Sequence, residues 1–183
     1  TAFWRRLVKA FSAKHAKKRE EKFCDARWLN DLSDPMAEYN EDAYKLARKA
    51  YIEHSCPFER ALLSRCVACD RSRKINLAER EAIACGDPVV REHCLTFYRA
   101  LHENAQFALK INPDTPWPFG KEIRAQCGGA RGLATAMDGV GDETTDIAAT
   151  VLQGIAHFGD CADFPYSEIM RAVVHYEPRK RRS

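Results

Sequence analysis

The chain has 183 residues, 45% apolar and 30% charged, a balance that supports one substantial buried core and excludes a disordered or collagen-like chain. Its 8 cysteines fall well short of the roughly 8–10% that marks a disulfide scaffold in a short secreted chain, and no run approaches the ~20 apolar residues of a membrane-crossing helix. The net charge of +3 is unevenly spread, with about +6 on residues 1–22, about +3 on 177–183 and about −6 on the body between them. An anionic partner would therefore be met by the ends, and the acidic body argues against nucleic acid.

Phe3, Trp4, Leu7, Val8 and Phe11 recur at helical spacing with cations between them, which predicts a basic amphipathic helix over 1–22. Such a helix can pack on the body, lie in a groove of a protein partner, or make a peripheral membrane contact through residues 3–19. No continuous apolar stretch leads to a small-residue cleavage site. The expected compartment is therefore cytoplasmic and reducing, with a membrane surface as the one peripheral option. A single helical domain is expected over 23–176, followed by a basic tail over 177–183.

Within that domain Asp34-Pro35 signals a helix start ahead of Ala43, Tyr44, Leu46, Ala47, Ala50 and Tyr51 at helical spacing. Ser55-Cys56-Pro57 opens a second helix, expected to run to about Asp70 with Leu62 and Leu63 inward. Asn76 followed by Glu79 resembles a capping box and predicts a short helix over 77–84. Gly86-Asp87-Pro88 then turns the chain, with Asp87 as N-cap and Pro88 where a missing N–H costs nothing. The helix from Val89 to about Lys110 aligns Val90, Cys94, Phe97, Leu101, Ala105 and Ala108 near one stripe. Residues 111–142 hold nine of the seventeen Gly and Pro residues and predict a folded-back loop region with a short helix around 121–126. Two more helices are expected over 144–158 and 167–176. No strand of useful length shows a period of two, so the expected class is mostly α, an irregular multi-helix bundle.

Six of the eight cysteines fall between Cys56 and Cys127, and thiolates concentrated in a helical chain point to a metal centre. On a helix over 58–69, Cys66 and Cys69 face one way, roughly 5–6 Å apart. Cys56 would lie about 15 Å along the axis and drops out unless that helix breaks. Cys85 and Cys94 flank the Gly86-Asp87-Pro88 corner, and Cys127 precedes Gly128-Gly129, where backbone N–H groups can approach a cluster's sulfurs. The expected ligands are Cys66, Cys69, Cys85 and Cys94, with Cys127 as the replacement for one of the last two. Cys94 also fits the apolar stripe of its helix, and Cys24 and Cys161 read as packing residues. A [4Fe–4S] cluster suits four thiolates that form only one tight pair. Zinc is the alternative, although its ribbons and fingers usually show a second close pair or a His pair.

Competing chemistries are weakly marked. Asp70 stands where heme attachment would need His. His54, His102, His157 and His175 are scattered, and Glu41-Asp42 and Glu79/Glu81 read as solvated faces rather than acid–base pairs. Gly128-Gly129-x2-Gly132 lacks the strand before it that a nucleotide fingerprint needs. Trp117-Pro118-Phe119-Gly120 reads as an aromatic turn, a docking edge or a cap on the core. No general base or nucleophile is evident. The expectation is an iron–sulfur accessory protein in electron transfer, redox sensing or assembly of a larger system, with a protein partner. The alternatives are a zinc-stapled adaptor working through the basic N-terminal helix, and a thiol-redox protein with reversible disulfides.

Overall fold

The computed structural model describes residues 41–77, 80–138 and 145–177. The chain divides into two units, Thr1–Glu41 and Asp42–Ser183, and the described residues from Asp42 onward belong to the second. The basic N-terminal helix, the 22/23 boundary, Cys24 and the Arg179–Arg182 cations lie outside the described residues.

The fold is mostly helical, as the periodicity implies, with one small sheet. In chain order it runs α1 (Glu41–Tyr51), α2 (Glu59–Leu63), β1 (Ser72–Leu77), β2 (Arg80–Cys85), α3 (Pro88–Ala108), α4 (Phe119–Asp138), α5 (Ile147–Phe158), a single 3-10 turn (Cys161–Asp163) and α6 (Tyr166–His175). None of the helices among the described residues is long and apolar enough to cross a membrane.

α3 forms as its sequence dictates. Asp87 Oδ1 accepts hydrogen bonds from the backbone N–H groups of Val89 and Val90, both at 3.1 Å, with Pro88 in the first turn. Its buried residues are Val90, Cys94, Phe97, Leu101 and Ala105, the predicted stripe without Ala108. This face meets α4, α5 and α6, and Phe97 stacks on Phe58 and edges Phe164 in the middle of the core.

Three local expectations are corrected. The first is the loop region: 119–138 is one helix, not a loop with a short helix over 121–126. Its glycines serve close packing rather than turning. A Cβ added to Gly128 would stand 2.7 Å from Val173 Cα, and one on Gly132 would stand 2.9 Å from Ile169 Cα, so α4 and α6 cross with backbones nearly touching. Gly129 instead faces the Leu101 side chain. Gly128 and Gly129 are therefore spent on helix packing, and the expected role of their N–H groups beside a cluster does not arise.

The second correction is the 77–84 helix, which is a hairpin strand. β1 and β2 pair antiparallel, from Ser72 opposite Cys85 to Leu77 opposite Arg80. The strand escapes a period-two reading because Ala82, Ile83 and Ala84 are all buried in a row. Residues 54–56 pair along the other edge of β2, with Cys56 N–H bonded to Ile83 C=O at 2.9 Å and Cys85 N–H to His54 C=O at 2.7 Å. A strand covered on both faces reads as a continuous apolar run.

The third is the long helix to Asp70. α2 stops at Leu63, and Arg65 takes a left-handed φ of 57°. Cys66 N–H bonds Ala61 C=O and Arg65 N–H bonds Leu62 C=O, a Schellman closure in which Arg65 occupies the position usually given to glycine. The chain then leaves the helix direction, so Cys66 and Cys69 do not share a helix face.

Candidate metal centre

Breaking α2 at Ser64 changes which cysteines meet. Cys66 is turned toward α4 and forms a disulfide with Cys127 across 61 residues, with Ser64 Oγ lying 3.8 Å from the Cys127 sulfur. The expected ligand Cys66 and its companion Cys127 are thus joined to each other in this structure. Cys69 instead turns toward the hairpin: its carbonyl accepts from Ser72 N–H at 3.3 Å and from Ser72 Oγ at 2.7 Å, and Ser72 is the residue opposite Cys85.

Cys56 joins from the other edge of β2 through the 54–56 pairing. Cys85 ends β2 and donates its S–H to the Asp87 carbonyl at 3.2 Å. Cys94 lies two turns into α3 on its inner face. The corner Gly86-Asp87-Pro88 is held by Gly86 N–H on Arg71 C=O at 2.8 Å and by an Arg71–Asp87 ion pair. Four segments therefore deliver Cys56, Cys69, Cys85 and Cys94 to one place. Each of these sulfurs lies within electrostatic reach of the other three.

Their acidity reflects that crowding. Burial pushes the Cys56 thiol up to about 12, opposed by a hydrogen bond from the Phe58 backbone and reinforced by Cys69 and Cys85. Burial likewise takes Cys94 to about 12, with Cys56, Cys69 and Cys85 adding to the rise. Cys69 is raised by burial, then by Asp146 and Cys85, against a backbone hydrogen bond from Arg71. Buried, crowded thiols resist ionisation, whereas a bound cation reverses that balance outright.

Of the sequence-predicted set the structure brings together Cys69, Cys85 and Cys94, and separates from them the disulfide pair Cys66 and Cys127. Cys56, set aside on the assumption of an unbroken helix, takes the fourth place. No local signal marks the break, since Ser64-Arg65 carries neither Gly nor Pro. Cys161 is buried beside the C-terminal half of the core and donates toward His93 C=O at 3.8 Å, in keeping with a packing role.

Cys69, Asp70 and Asp146 form the one group among the described residues whose ligand atoms lie within 4.8 Å of one another. Of its two carboxylates, that of Asp146 is already used. Asp146 Oδ2 accepts Asp70 N–H at 2.8 Å and Oδ1 accepts Ala149 N–H at 2.8 Å, so Asp146 caps α5 and pins the Cys69 loop to it. The aromatic turn also has an internal role. Trp117 stacks on His102 with ring centroids 3.9 Å apart, while Phe119 is exposed and lies under the Arg60 guanidinium. Comparison of the chain with protein-family models, with curated proteins and with solved structures gives no match.

Proposed function

We propose that the chain binds an iron–sulfur cluster, of the [4Fe–4S] type, through Cys56, Cys69, Cys85 and Cys94, and that it acts in electron transfer, redox sensing or assembly of a larger system. The observation that carries this is the convergence of four thiols, Cys56, Cys69, Cys85 and Cys94, from four separate segments. A [4Fe–4S] cluster takes one thiolate on each of its four irons, which suits four separate thiols.

The protein's contribution would be thiolate ligation, burial against the α3 face, and the backbone hydrogen bonds that Cys56 and Cys69 already accept. The test is anaerobic purification with iron, sulfide and zinc analysis and a visible spectrum on one sample. About four irons per chain with broad sulfur-to-iron absorption is expected, lost in Cys56→Ser and in Cys94→Ser but kept in the Cys66→Ala/Cys127→Ala double variant. One zinc per chain, or iron retained in Cys56→Ser, would overturn the assignment.

A further inference from the structure

Cys56 also lines a cavity of about 260 Å³ that opens between the start of α2, α3 and α4. Its walls carry Arg48, Arg60 and Arg91 with Glu59 and Glu122, and only part of this charge is paired within the wall. Arg48 is committed to Glu59, whose other oxygen accepts Ile83 N–H at 3.0 Å. Arg91 spends Nε on Ser55 C=O at 2.9 Å and one terminal nitrogen on Glu92, leaving the other terminal nitrogen unspent among the described residues. Arg60 lies over the Phe119 ring with its centre 5.4 Å from the centroid and finds no acceptor among the described residues.

The opposite charge is Glu122, only 4% exposed. Tyr98 OH at 3.0 Å, His102 Nε2 at 3.1 Å and Gln126 Nε2 at 2.7 Å all converge on its Oε1, so Oε2 is the carboxylate's remaining acceptor. Gln126 is itself fixed, because its Oε1 accepts Ala61 N–H at 2.9 Å. A buried carboxylate whose orientation is set by three donors and a clamped amide is a pre-organised group.

From this arrangement we infer that the cavity is a binding site for a small zwitterion of the α-amino acid class. The ligand's carboxylate is taken by Arg60 and the free edge of Arg91, and its ammonium by Glu122 Oε2. A simple anion would satisfy the guanidiniums but face the buried Glu122 carboxylate, and a simple cation would meet the converse conflict. The volume of about 260 Å³ lies just below the roughly 300–1,000 Å³ of drug-sized ligand cavities and admits an amino acid with a small side chain. The site stands whether or not the neighbouring thiols hold metal, though a ligand in it lies beside Cys56.

The test is calorimetric titration of the full chain with L-alanine, and with propionate and ethylamine as its two singly charged halves. Saturable binding of L-alanine is expected, with each half weaker by about tenfold or more. Arg60→Gln, on the surface and outside the core, should lower L-alanine affinity by a similar factor, and Glu122→Gln should do so where it folds. Absence of saturable L-alanine binding, propionate binding as tightly as L-alanine, or an unaffected Arg60→Gln variant would each overturn the inference.

Discussion

Gly128 lies against Val173 so closely that a Cβ added to the glycine would stand 2.7 Å from the valine Cα. The near neighbour is backbone and cannot swing aside, so α4 and α6 must separate to admit even a methyl group. Gly128→Ala should destabilise the fold by about 1–3 kcal/mol, lowering the thermal midpoint by about 2–4 °C for each kcal/mol in a chain of this size. Gly120→Ala is the control. It has nothing within 4 Å of the added atom, and the better helix former should leave stability unchanged or raise it by up to about 1 kcal/mol.

Glu122 supplies a pH dependence with a definite sign. Burial acts to raise its pKa, but the hydrogen bond and charge of His102, with the bonds from Gln126 and Tyr98, outweigh it and hold the carboxyl below its ordinary range. The folded state therefore favours the ionised form. Its stabilisation is fully present above the unfolded value of about 4.3 and disappears as pH falls through the lower folded value. Urea midpoints should fall more steeply on acidification for the unaltered chain than for Glu122→Gln. At neutral pH the variant should be less stable by about 1–3 kcal/mol, the cost of weakening three buried bonds to a charged acceptor.

The Cys66–Cys127 bond closes a loop spanning a separation of 61 residues, which constrains the unfolded chain by about 4 kcal/mol in the loop-entropy account. The Cys66→Ala/Cys127→Ala variant should unfold at correspondingly lower denaturant, and a dithiol reductant should destabilise the unaltered chain without affecting the variant. Peptide mapping under non-reducing conditions should recover the linked pair. Equal denaturant midpoints for the two proteins would refute the link.

Local stability should differ sharply along the chain. α1 buries none of its residues, and its anchors include the Arg48–Glu59 ion pair, the Arg80 guanidinium over Tyr44, and Tyr44 itself against the small Ile52, Leu77, Ala82 and Ala84 cluster. α3 buries five residues across its length. Hydrogen exchange should therefore be fast throughout 43–51 and slowest around Phe97–Leu101, the latter approaching the global unfolding limit. Comparable protection in the two helices would contradict this picture.

The sequence was legible where a helix had a cap and a clean stripe. Asp87-Pro88 and the spacing from Val90 to Ala105 predicted α3 to within a residue or two; α6 was predicted to within one, while α5 begins at Ile147 rather than 144. It was illegible where tertiary contact overrode local preference. Gly128 and Gly132 look like breakers until α6 is laid against them, and Ala82-Ile83-Ala84 shows no alternation because both faces of β2 are covered there. The site suffered most from one backbone angle. Arg65 turns left-handed inside a stretch with continuous helical spacing, and that turn decides whether Cys56 or Cys66 stands beside Cys69.

The four converging thiols have a further consequence for how the proposed centre would come to be filled. No two of them become neighbours through the winding of a single helix. Cys56 requires the 54–56 edge, Cys69 the loop pinned by Asp146, Cys85 the closed hairpin and Cys94 a docked α3. An unfolded or half-assembled chain thus presents scattered single sulfurs with little chelating power, and cargo delivered before folding would find no seat. Occupancy, once measured, would count the molecules in which all four segments have arrived, making the load of a purified sample a gauge of its conformational integrity.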